Sequence, residues 1–393
     1  MRELRLSAAA ACAAVFAVSA CSADGVKDAV TPEEPKKPIA LTANVDQKAA
    51  DVKVSTIVSV KARHGDISSA RLVSDDGKSR VKGRVAGNQW LASQRLEPGT
   101  TYTLSVAGKG EDGKRGRITR RFSTQPLTLA QQTYPSVAPL KGETVGVGMP
   151  VIVTFDVPVK NRALFERNMR VQSSPAVEGS WSWFGPREAH FRPRTFWPAH
   201  SRVKVRLSLN GLPAGGGVYG QQDQLIDFKV GSKVVSVVNV AKYRLRYIKD
   251  GKVKRTIPVS TGDSGHRTRE GTKVIMEKFS SIDMDAATTG VDSEDPGYYN
   301  IENVRWAMRV TNSGEFLHAA PWSVASQGNA NVSHGCTGMS TANADWLYHH
   351  SRRGDVVRYV NSPRRLEDRN GWTDWNVDWS TWLDGSALNN TGT

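Results

Sequence analysis

The stretch Val203-Lys204-Val205-Arg206-Leu207 alternates strictly between apolar and basic residues. Successive side chains of a β-strand point to opposite faces of the sheet, so this alternation predicts a strand with one buried face and one solvated face. The pattern recurs at Tyr102-Thr103-Leu104-Ser105-Val106, and turn signals such as Asp76-Gly77 and Asp112-Gly113 separate similar runs between residues 39 and 230. Short half-buried strands without a long amphipathic helix predict β-sandwiches.

A weak internal repeat divides this β-rich part into two copies. Leu96-Glu97-Pro98 and Phe196-Trp197-Pro198 each precede an alternating strand, and each copy closes on a strand that contains a phenylalanine, Phe122 or Phe228. Tandem modules produce such recurrences at similar offsets. We therefore predict two Ig-like β-sandwich domains, at residues 39–126 and 127–232.

The third part of the chain, residues 233–362, has a different texture. The runs 234–240 and 243–247 flank a short turn, which is typical of a β-meander. Only the segment from Ala342 to Ser351 carries a convincing helical pattern. We predict a mainly β protein in which a β-rich domain with one or two short helices follows the two sandwiches, and residues 363–393 form a Trp-rich extension.

The N-terminus indicates export. Arg2 and Arg5 precede an apolar stretch, residues 6–18, which is too short for a membrane span but is typical of a signal peptide, here residues 1–20. The sequence Val18-Ser19-Ala20-Cys21 resembles a bacterial lipobox, and the resemblance implies that Cys21 is lipidated. Residues 21–38 are polar and contain prolines, so they predict a flexible tether. We expect an extracytoplasmic protein anchored by lipid to the outer face of the cell membrane; the alternative is an ordinary cleaved signal peptide.

The chain carries a formal net charge of +15 at pH 7, which favours an anionic partner. The basic residues are spread along the chain, and helix-turn-helix, RNA-recognition and zinc-finger patterns are absent, so we predict no nucleic acid partner. Anionic cell-wall polymers or a phospholipid surface fit an exported protein better. The alternative is charge that serves only solubility.

Chemistry is concentrated at Ser333-His334-Gly335-Cys336. The other two cysteines, Cys12 and Cys21, lie in or beside the signal sequence, so Cys336 has no partner for a disulfide and no companions for a cysteine-rich zinc site. A thiol beside a glycine turn, with His318 upstream and His334 adjacent, predicts acyl transfer through a cysteine thioester. A buried structural cysteine is the alternative. Spacing alone does not choose between the two histidines.

These motifs resemble the L,D-transpeptidases of the YkuD type, on the segments Thr261-Gly262, His318–Ser323 and Asn331–Cys336. The resemblance implies an exported enzyme without a metal or cofactor that acts on peptidoglycan stem peptides. It cleaves the bond between the third and fourth residues of a tetrapeptide stem, releases D-alanine, and makes a 3→3 cross-link to a neighbouring diamino acid. The resemblance also implies acylation by carbapenems, Cys336 as nucleophile and His318 as base.

The same resemblance supplies further site residues. The amides of Gly335 and Cys336 are expected to stabilise an oxyanion, since glycine allows close backbone approach. A loop from Ser280 to Asp295 resembles the substrate lid of the family, while an ordinary surface loop is the alternative. Substrate contacts are expected from the residues that match the motifs of the family, namely Met284, Tyr298, Trp322, Asn331 and Ser333.

Two positions depart from the family pattern. Ala319 replaces a serine after the base histidine, and Gly338 replaces an asparagine or arginine two positions beyond the nucleophile. If the serine acts through its backbone carbonyl, Ala319 can orient His318 equally well. The loss of a polar side chain at Gly338 predicts altered contacts with the donor stem.

The tail from Gly371 to Trp382 concentrates four tryptophans. We predict that it packs onto its own domain as a latch, because buried Trp faces carry large burial energies; sugar binding by an aromatic row is the alternative.

Rival functions differ in testable ways. A papain-like peptidase requires a histidine well downstream of the cysteine, whereas only His349 and His350 follow Cys336. A zinc amidase is disfavoured because no H-x-x-E-H or H-E-x-x-H pattern exists. An L,D-carboxypeptidase and a wall-binding lipoprotein without catalysis remain as alternatives.

Overall fold

The computed structural model describes residues 35–290, 292–294 and 298–389, and the protein is mainly β, as predicted. The signal sequence, Cys21 and most of the predicted tether lie outside the described residues. No helix within the described ranges is both long enough and apolar enough to cross a membrane.

The first sandwich, within residues 39–126, consists of two four-stranded sheets. One has the order β1-β2-β6-β5 and the other β4-β3-β7-β8. Tyr102, Leu104 and Val106 alternate into the core, as their spacing predicted, while the residues between them face outward. The strands are β1 (Ala40–Ala43), β2 (Ser59–Arg63), β3 (Gly65–Ser74), β4 (Arg80–Val81), β5 (Gly83–Ala86), β6 (Gln89–Ala92), β7 (Thr101–Gly110) and β8 (Arg115–Ser123).

The second sandwich, within residues 127–232, again packs two four-stranded sheets, β10-β12-β15-β14 and β11-β19-β16-β13, with a small third sheet, β17-β18-β9. Trp197 is 1% exposed at its centre. A six-residue helix, α1, was not predicted, because it is too short to show a helical period. The elements are β9 (Gln132–Thr133), β10 (Pro135–Ala138), β11 (Thr144–Val145), β12 (Val151–Phe155), α1 (Arg162–Arg167), β13 (Met169–Ser174), β14 (Gly179–Trp183), β15 (Glu188–Pro193), β16 (Arg202–Leu207), β17 (Pro213–Gly215), β18 (Val218–Gly220) and β19 (Gln224–Val230).

The C-terminal domain, within residues 233–362, contains two further sheets, β22-β21-β20-β28-β23 and β24-β25-β26-β27. Helix α2 packs on β25 and β26, and Ala344 and Leu347 are its buried residues. The elements are β20 (Val234–Asn239), β21 (Arg244–Lys249), β22 (Lys252–Pro258), β23 (Gly271–Val274), β24 (Glu277–Asp285), β25 (Asn300–Arg309), β26 (Phe316–Ala319), β27 (Thr337–Met339), α2 (Thr341–His350) and β28 (Val356–Val360).

The first part of the predicted lid is a β-strand. The first six residues of the expected loop, Ser280 to Asp285, belong to β24, which pairs antiparallel with β25 from Glu277↔Arg309 to Asp285↔Asn300. A 3-10 turn, Ala286–Thr289, follows. The prediction of a loop beginning at Ser280 is therefore wrong: this stretch is a strand with Met284 buried and most other residues exposed or half-buried, and cross-strand pairing stabilises it.

The tail, described to residue 389, packs as a latch on its own domain, as predicted, and also on the second sandwich. Trp382, on α3 (Trp379–Asp384), is 1% exposed and its indole donates to Ser180 O at 3.0 Å. The buried guanidinium of Arg192 lies 5.2, 5.2 and 4.6 Å from the ring centroids of Trp375, Trp379 and Trp382. The aromatic row is thus used for packing.

The second sandwich also contacts the C-terminal domain directly. Gly146 N donates to Arg353 O at 2.8 Å, and Gly148 N donates to Gly354 O at 2.9 Å. Val356 of β28 belongs to the hydrophobic core of the second sandwich. The two units therefore share buried surface in addition to the tail.

Candidate active site

The nucleophile candidate lies where β26 and β27 run parallel. Cys336 directly precedes β27, and the register pairs Leu317 with Thr337 and His318 with Gly338. Gly335 has φ of +120°, a conformation that L side chains rarely adopt. Glycine is therefore required for the turn that delivers Cys336 to the start of the strand.

Ser333 closes this turn. Its hydroxyl donates to Cys336 O at 2.7 Å and accepts the N–H of Gly335 at 3.1 Å. The hydroxyl of Ser333, expected to contact substrate, and the Gly335 amide are thus both hydrogen-bonded inside the turn. The substrate contact of Ser333 and the amides of Gly335 and Cys336 as oxyanion donors stay predictions.

Asn331 anchors the approach to the turn. Its Oδ1 accepts from Thr261 N at 2.9 Å and from Thr261 Oγ1 at 2.7 Å, while Nδ2 donates to Val240 O at 3.2 Å. These three hydrogen bonds use both acceptor positions and one of the two donors of the amide, so Asn331 positions the backbone. Its role as a substrate contact stays a prediction. Thr268, which the sequence analysis missed, donates to Gly335 O at 2.7 Å from the other side.

The Cys336 thiol is 8% exposed. Phe316 N donates to Sγ at 3.4 Å, and Sγ donates to Gly314 O at 3.5 Å. Burial raises the pKa of the thiol to about 12, and the Phe316 amide opposes this rise. The resting group is therefore a protonated thiol.

His318 is buried on the same sheet. Its Nδ1 lies 2.8 Å from Ala319 O, so Nδ1 carries the proton and Nε2 is left as an acceptor. Burial lowers the pKa of His318, against the opposing effect of this backbone hydrogen bond, which keeps the ring neutral. The carbonyl of Ala319 orients the histidine, as we reasoned for this departure from the family pattern.

The two groups lie on one face but are not hydrogen-bonded. Phe316 and His318 are two residues apart on β26, and Cys336 and Gly338 hold the matching positions on the neighbouring strand. Among the described residues, the hydrogen bonds of Cys336 Sγ go to Phe316 and Gly314, not to His318. Transfer of a proton to Nε2 requires rotation of the thiol, and the role of His318 as base stays a prediction.

The other predicted residues surround this pair unequally. Trp322 is 56% exposed and its ring stacks on His318, with centroids 5.9 Å apart. His334 is exposed and contacts the rings of His266 and Tyr299, at centroid distances of 4.4 and 5.1 Å. His334 thus lines the outside of the site, and its ring has no hydrogen bond to the thiol.

A narrow cleft lies beside the thiol, under the β24–β25 hairpin. Met284 lines it and also belongs to the apolar cluster that contains Cys336. The tyrosine in the cleft is Tyr299, whereas the sequence analysis selected its neighbour Tyr298. The lining includes Ile282, Met284, Asp285, Tyr299, Arg309 and Phe316. Two adjacent tyrosines in a loop offer no period from which to choose the inward one.

Comparison with known proteins agrees with this geometry. Residues 49–213 match the bacterial Ig domain family, and residues 233–358 match the L,D-transpeptidase catalytic domain family, YkuD. L,D-transpeptidase 2 of Mycobacterium tuberculosis is 35% identical over 350 residues, which cover 88% of this chain and 85% of the relative. The chain belongs to the L,D-transpeptidase family.

Two further relatives show how far the likeness extends. L,D-transpeptidase 5 of Mycobacterium tuberculosis is 36% identical over 361 residues, or 88% of this L,D-transpeptidase and 77% of the relative. A solved structure of an LD transpeptidase in complex with imipenem is 34% identical, with a TM-score of 0.51, and covers 57% of this chain and 97% of that one. Family membership thus spans the sandwiches as well as the catalytic domain.

The second departure from the family pattern has a steric explanation in this L,D-transpeptidase. A Cβ on Gly338 would stand 2.9 Å from the Cβ of Ala320, closer than real Cβ atoms approach a neighbour. The side chain that the family pattern leads one to expect is therefore excluded by packing at this position.

Charged residues beneath the turn were missed by the sequence analysis. Lys273, Glu315 and Arg269 form a buried cluster of ion pairs in this L,D-transpeptidase. Single charges within alternating or turn sequences predict solvated side chains, so no sequence signal marked them. Within the described ranges, no group of three or more His, Cys, Asp or Glu side chains is arranged to hold a metal ion.

Proposed function

We propose that this L,D-transpeptidase makes 3→3 cross-links in peptidoglycan through a thioester on Cys336. The observation that carries the proposal is a buried free thiol on the same sheet face as a neutral, backbone-oriented histidine, beside a cleft under a hairpin. A neutral imidazole accepts the thiol proton as the sulfur attacks, so a preformed thiolate is not required.

In the first step, Sγ attacks the carbonyl carbon of the third residue of a tetrapeptide stem. A C–S bond forms, the C–N bond to D-alanine breaks, and the thiol proton passes through His318 Nε2 to the departing amine. In the second step, a side-chain amine of a neighbouring stem attacks the thioester. A C–N bond forms, the C–S bond breaks, and the proton lost by the amine returns through His318 to Sγ.

The hairpin has a role in this scheme. Met284 and Tyr299 cover the cleft beside the thiol, and a covered thioester is protected from water, which competes with the acceptor amine. Poor exclusion of water would convert the same acyl-enzyme into a tripeptide stem. That outcome is the L,D-carboxypeptidase alternative.

The test uses the full-length chain in detergent with a purified disaccharide tetrapeptide, and Cys336→Ala as the matched variant. We expect a product with the mass of two substrates less one D-alanine, absent from the variant. Tripeptide monomer alone would establish the carboxypeptidase. No product that depends on Cys336 would favour a binding lipoprotein. An imipenem adduct on the peptide containing Cys336 would support acylation independently.

We further propose that the enzyme is exported and anchored by lipid on Cys21, with residues 21–38 as tether and the two sandwiches, 39–126 and 127–232, as spacer. The support is the lipobox-like sequence before Cys21. Metabolic labelling with a palmitate analogue in the source bacterium tests the anchor: label lost in Cys21→Ser supports it, and label retained rejects it.

We also propose that anionic cell-wall polymers bind the outer face of the second sandwich. Arg202, Lys204 and Arg206 are exposed on β16, and the cross-strand partners of the first and last, Lys229 and Arg170, are basic too. Binding to poly(glycerol phosphate) should weaken with salt and fall further when the three β16 residues are changed to Gln. Equal binding by this triple variant would reject the site.

A further inference from the structure

A cluster of buried charges lies beneath the nucleophile. The side chain of Lys273 is fully buried and that of Glu315 is 4% exposed; Lys273 Nζ is in direct contact with Glu315 Oε2. Glu315 Oε1 accepts from Arg269 N at 3.0 Å and from Arg269 Nη1 at 3.1 Å. On its other side, Lys273 Nζ lies 3.8 Å from the centroid of the Tyr359 ring. The pair is enclosed on every side by named partners.

The cluster is placed directly against the catalytic turn. Glu315 lies between Gly314 and Phe316, the two residues whose backbone contacts Cys336 Sγ. A Cβ built on Gly335 would be 3.7 Å from Glu315 Oε1. The hydroxyl of Tyr359, the ring under Lys273, is 2.8 Å from the hydroxyl of Thr337, the residue after the nucleophile. The ion pair therefore lies directly beneath the turn that carries Cys336.

Stability is a weak reason to keep such a pair. Desolvation of two charges offsets most of their attraction, and apolar residues of similar volume are often as stable. A buried charge beside a group that becomes an anion, in contrast, acts on it with little screening. The position of the pair therefore suits an electrostatic effect on Sγ.

We propose that Lys273 and Glu315 are opposed positioning residues for the nucleophile: Lys273 favours negative charge on Cys336 Sγ, and Glu315 disfavours it. The inference rests on the proposed role of Cys336 as nucleophile. The Lys273 and Glu315 variants leave the other titratable groups near the sulfur unchanged. These groups are His318 on β26, Arg309 on β25, Tyr359 on β28, Tyr299 at the cleft, and the Arg269–Glu367 pair at the solvent side.

The experiment measures the rate at which uncharged iodoacetamide alkylates Cys336 at pH 8 and pH 9, followed on the Cys336 peptide of the full-length chain by mass spectrometry. Far below the thiol pKa, this rate follows the thiolate fraction, moderated by nucleophilicity. We expect Lys273→Met to slow alkylation about three- to tenfold and Glu315→Gln to accelerate it by a similar factor. Lys273→Arg, which keeps the charge, should stay close to the wild type.

The opposite signs separate an electrostatic role from a structural one, which would move both variants in the same direction. Lys278→Met is the matched control, since Lys278 binds Tyr348 O and Ser351 O away from the turn, and it should leave the rate unchanged. Shifts of the same sign, or an unchanged rate in Lys273→Met, would overturn the proposal. If Lys273→Met does not fold, Arg269→Gln, at a side chain 13% exposed, must slow alkylation instead. Alkylation needs no cross-linking, so failure of the proposed function gives a different result.

Discussion

At the proposed nucleophile, Cys336 and His318 share one buried face of a sheet. Burial raises the pKa of Cys336 to about 12 and lowers that of His318, so it favours the neutral form of both groups. A preformed thiolate–imidazolium pair would instead need a depressed thiol pKa. The structure therefore favours general-base catalysis, in which the proton moves as the C–S bond forms.

This neutral pair predicts the pH dependence of Cys336 reactivity. Alkylation by iodoacetamide should rise steadily from pH 7 to pH 10, because every pH in this range lies below the thiol pKa. His318→Asn should lower transpeptidation about 10²- to 10⁴-fold, the usual contribution of a general base. A plateau in the alkylation rate near pH 7 would contradict the neutral pair.

The adjacent tyrosines give a matched residue-scale test. Tyr299 lines the cleft and its ring contacts that of His334, whereas Tyr298 is outside the cleft lining. We expect Tyr299→Ala to raise the KM for a tetrapeptide stem about tenfold, as a lost aromatic contact would. Tyr298→Ala should change KM less than twofold. The reverse order would restore the assignment made from sequence.

The sequence could predict a site residue only where a motif in the chain places it near the other site residues. Cys336 and His318 were found because a motif holds their residue types together in the chain. Lys273 and Glu315 were missed because their pairing is created by the fold, and each alone predicts a solvated side chain. Ser333 and Asn331 were recognised as part of the motif, but their partners within the turn could not be seen from sequence.

At the scale of elements, the alternation of apolar and polar residues predicted long strands such as β7 and β16, because their side chains are buried at every second position. It failed for the polar β24, whose pairing with β25 is a tertiary contact. The packing of the tail on the second sandwich is likewise a long-range contact, which a sequence pattern does not show. Its buried Asp374 lies 3.1 Å from Nδ1 of His190, on β15 of the second sandwich, and His190 Nε2 lies 3.1 Å from Glu188.

This contact makes the attachment of the tail sensitive to pH. Burial alone would lower the pKa of His190, but Asp374 and Glu188 outweigh it and raise the pKa to about 9. The folded-state pKa exceeds the unfolded value of 6.5, so the stabilisation is complete below pH 6.5 and is lost as pH rises through 9.

Asp374→Asn should therefore lower the melting temperature at pH 7, with a loss of about 1–3 kcal/mol, and flatten the decline between pH 7 and pH 10. Thermal unfolding of the full chain at several pH values measures both effects. Glu178→Gln, which removes an ion pair exposed on both sides, is the control and should change little. An Asp374→Asn curve parallel to the wild type would reject the assignment.

At the scale of the whole molecule, the second sandwich and the catalytic domain are closely packed at Gly146, where an added side-chain carbon would clash. A Cβ on Gly146 would stand 2.2 Å from Asp355 N and 2.3 Å from the carbonyl carbon of Gly354, both backbone atoms. By contrast, the first sandwich meets the second through contacts such as Asn210 Nδ2 to Glu97 Oε1, at 2.8 Å.

Gly146→Ala should separate the two domains or strain the contact, with a loss of about 1–3 kcal/mol, as overpacking generally costs. The expected signs are a lower melting temperature and faster proteolysis near residues 231–233. Gly265→Ala is the control, because its Cβ would meet only Asp263 Oδ1, at 3.5 Å. Identical melting of both variants would show that the junction adapts.

The packing of the tail restricts the movement of the catalytic domain. The chain leaves the second sandwich after β19 and enters the catalytic domain near residue 232, and the tail then returns to bury Trp382 against β14, in the other sheet of that sandwich. The catalytic domain is thus attached to the second sandwich at two points, the connecting segment and the tail. The second attachment opposes rotation of the domain about the connecting segment. A single cut at that segment would therefore leave the catalytic domain attached to the second sandwich through the tail.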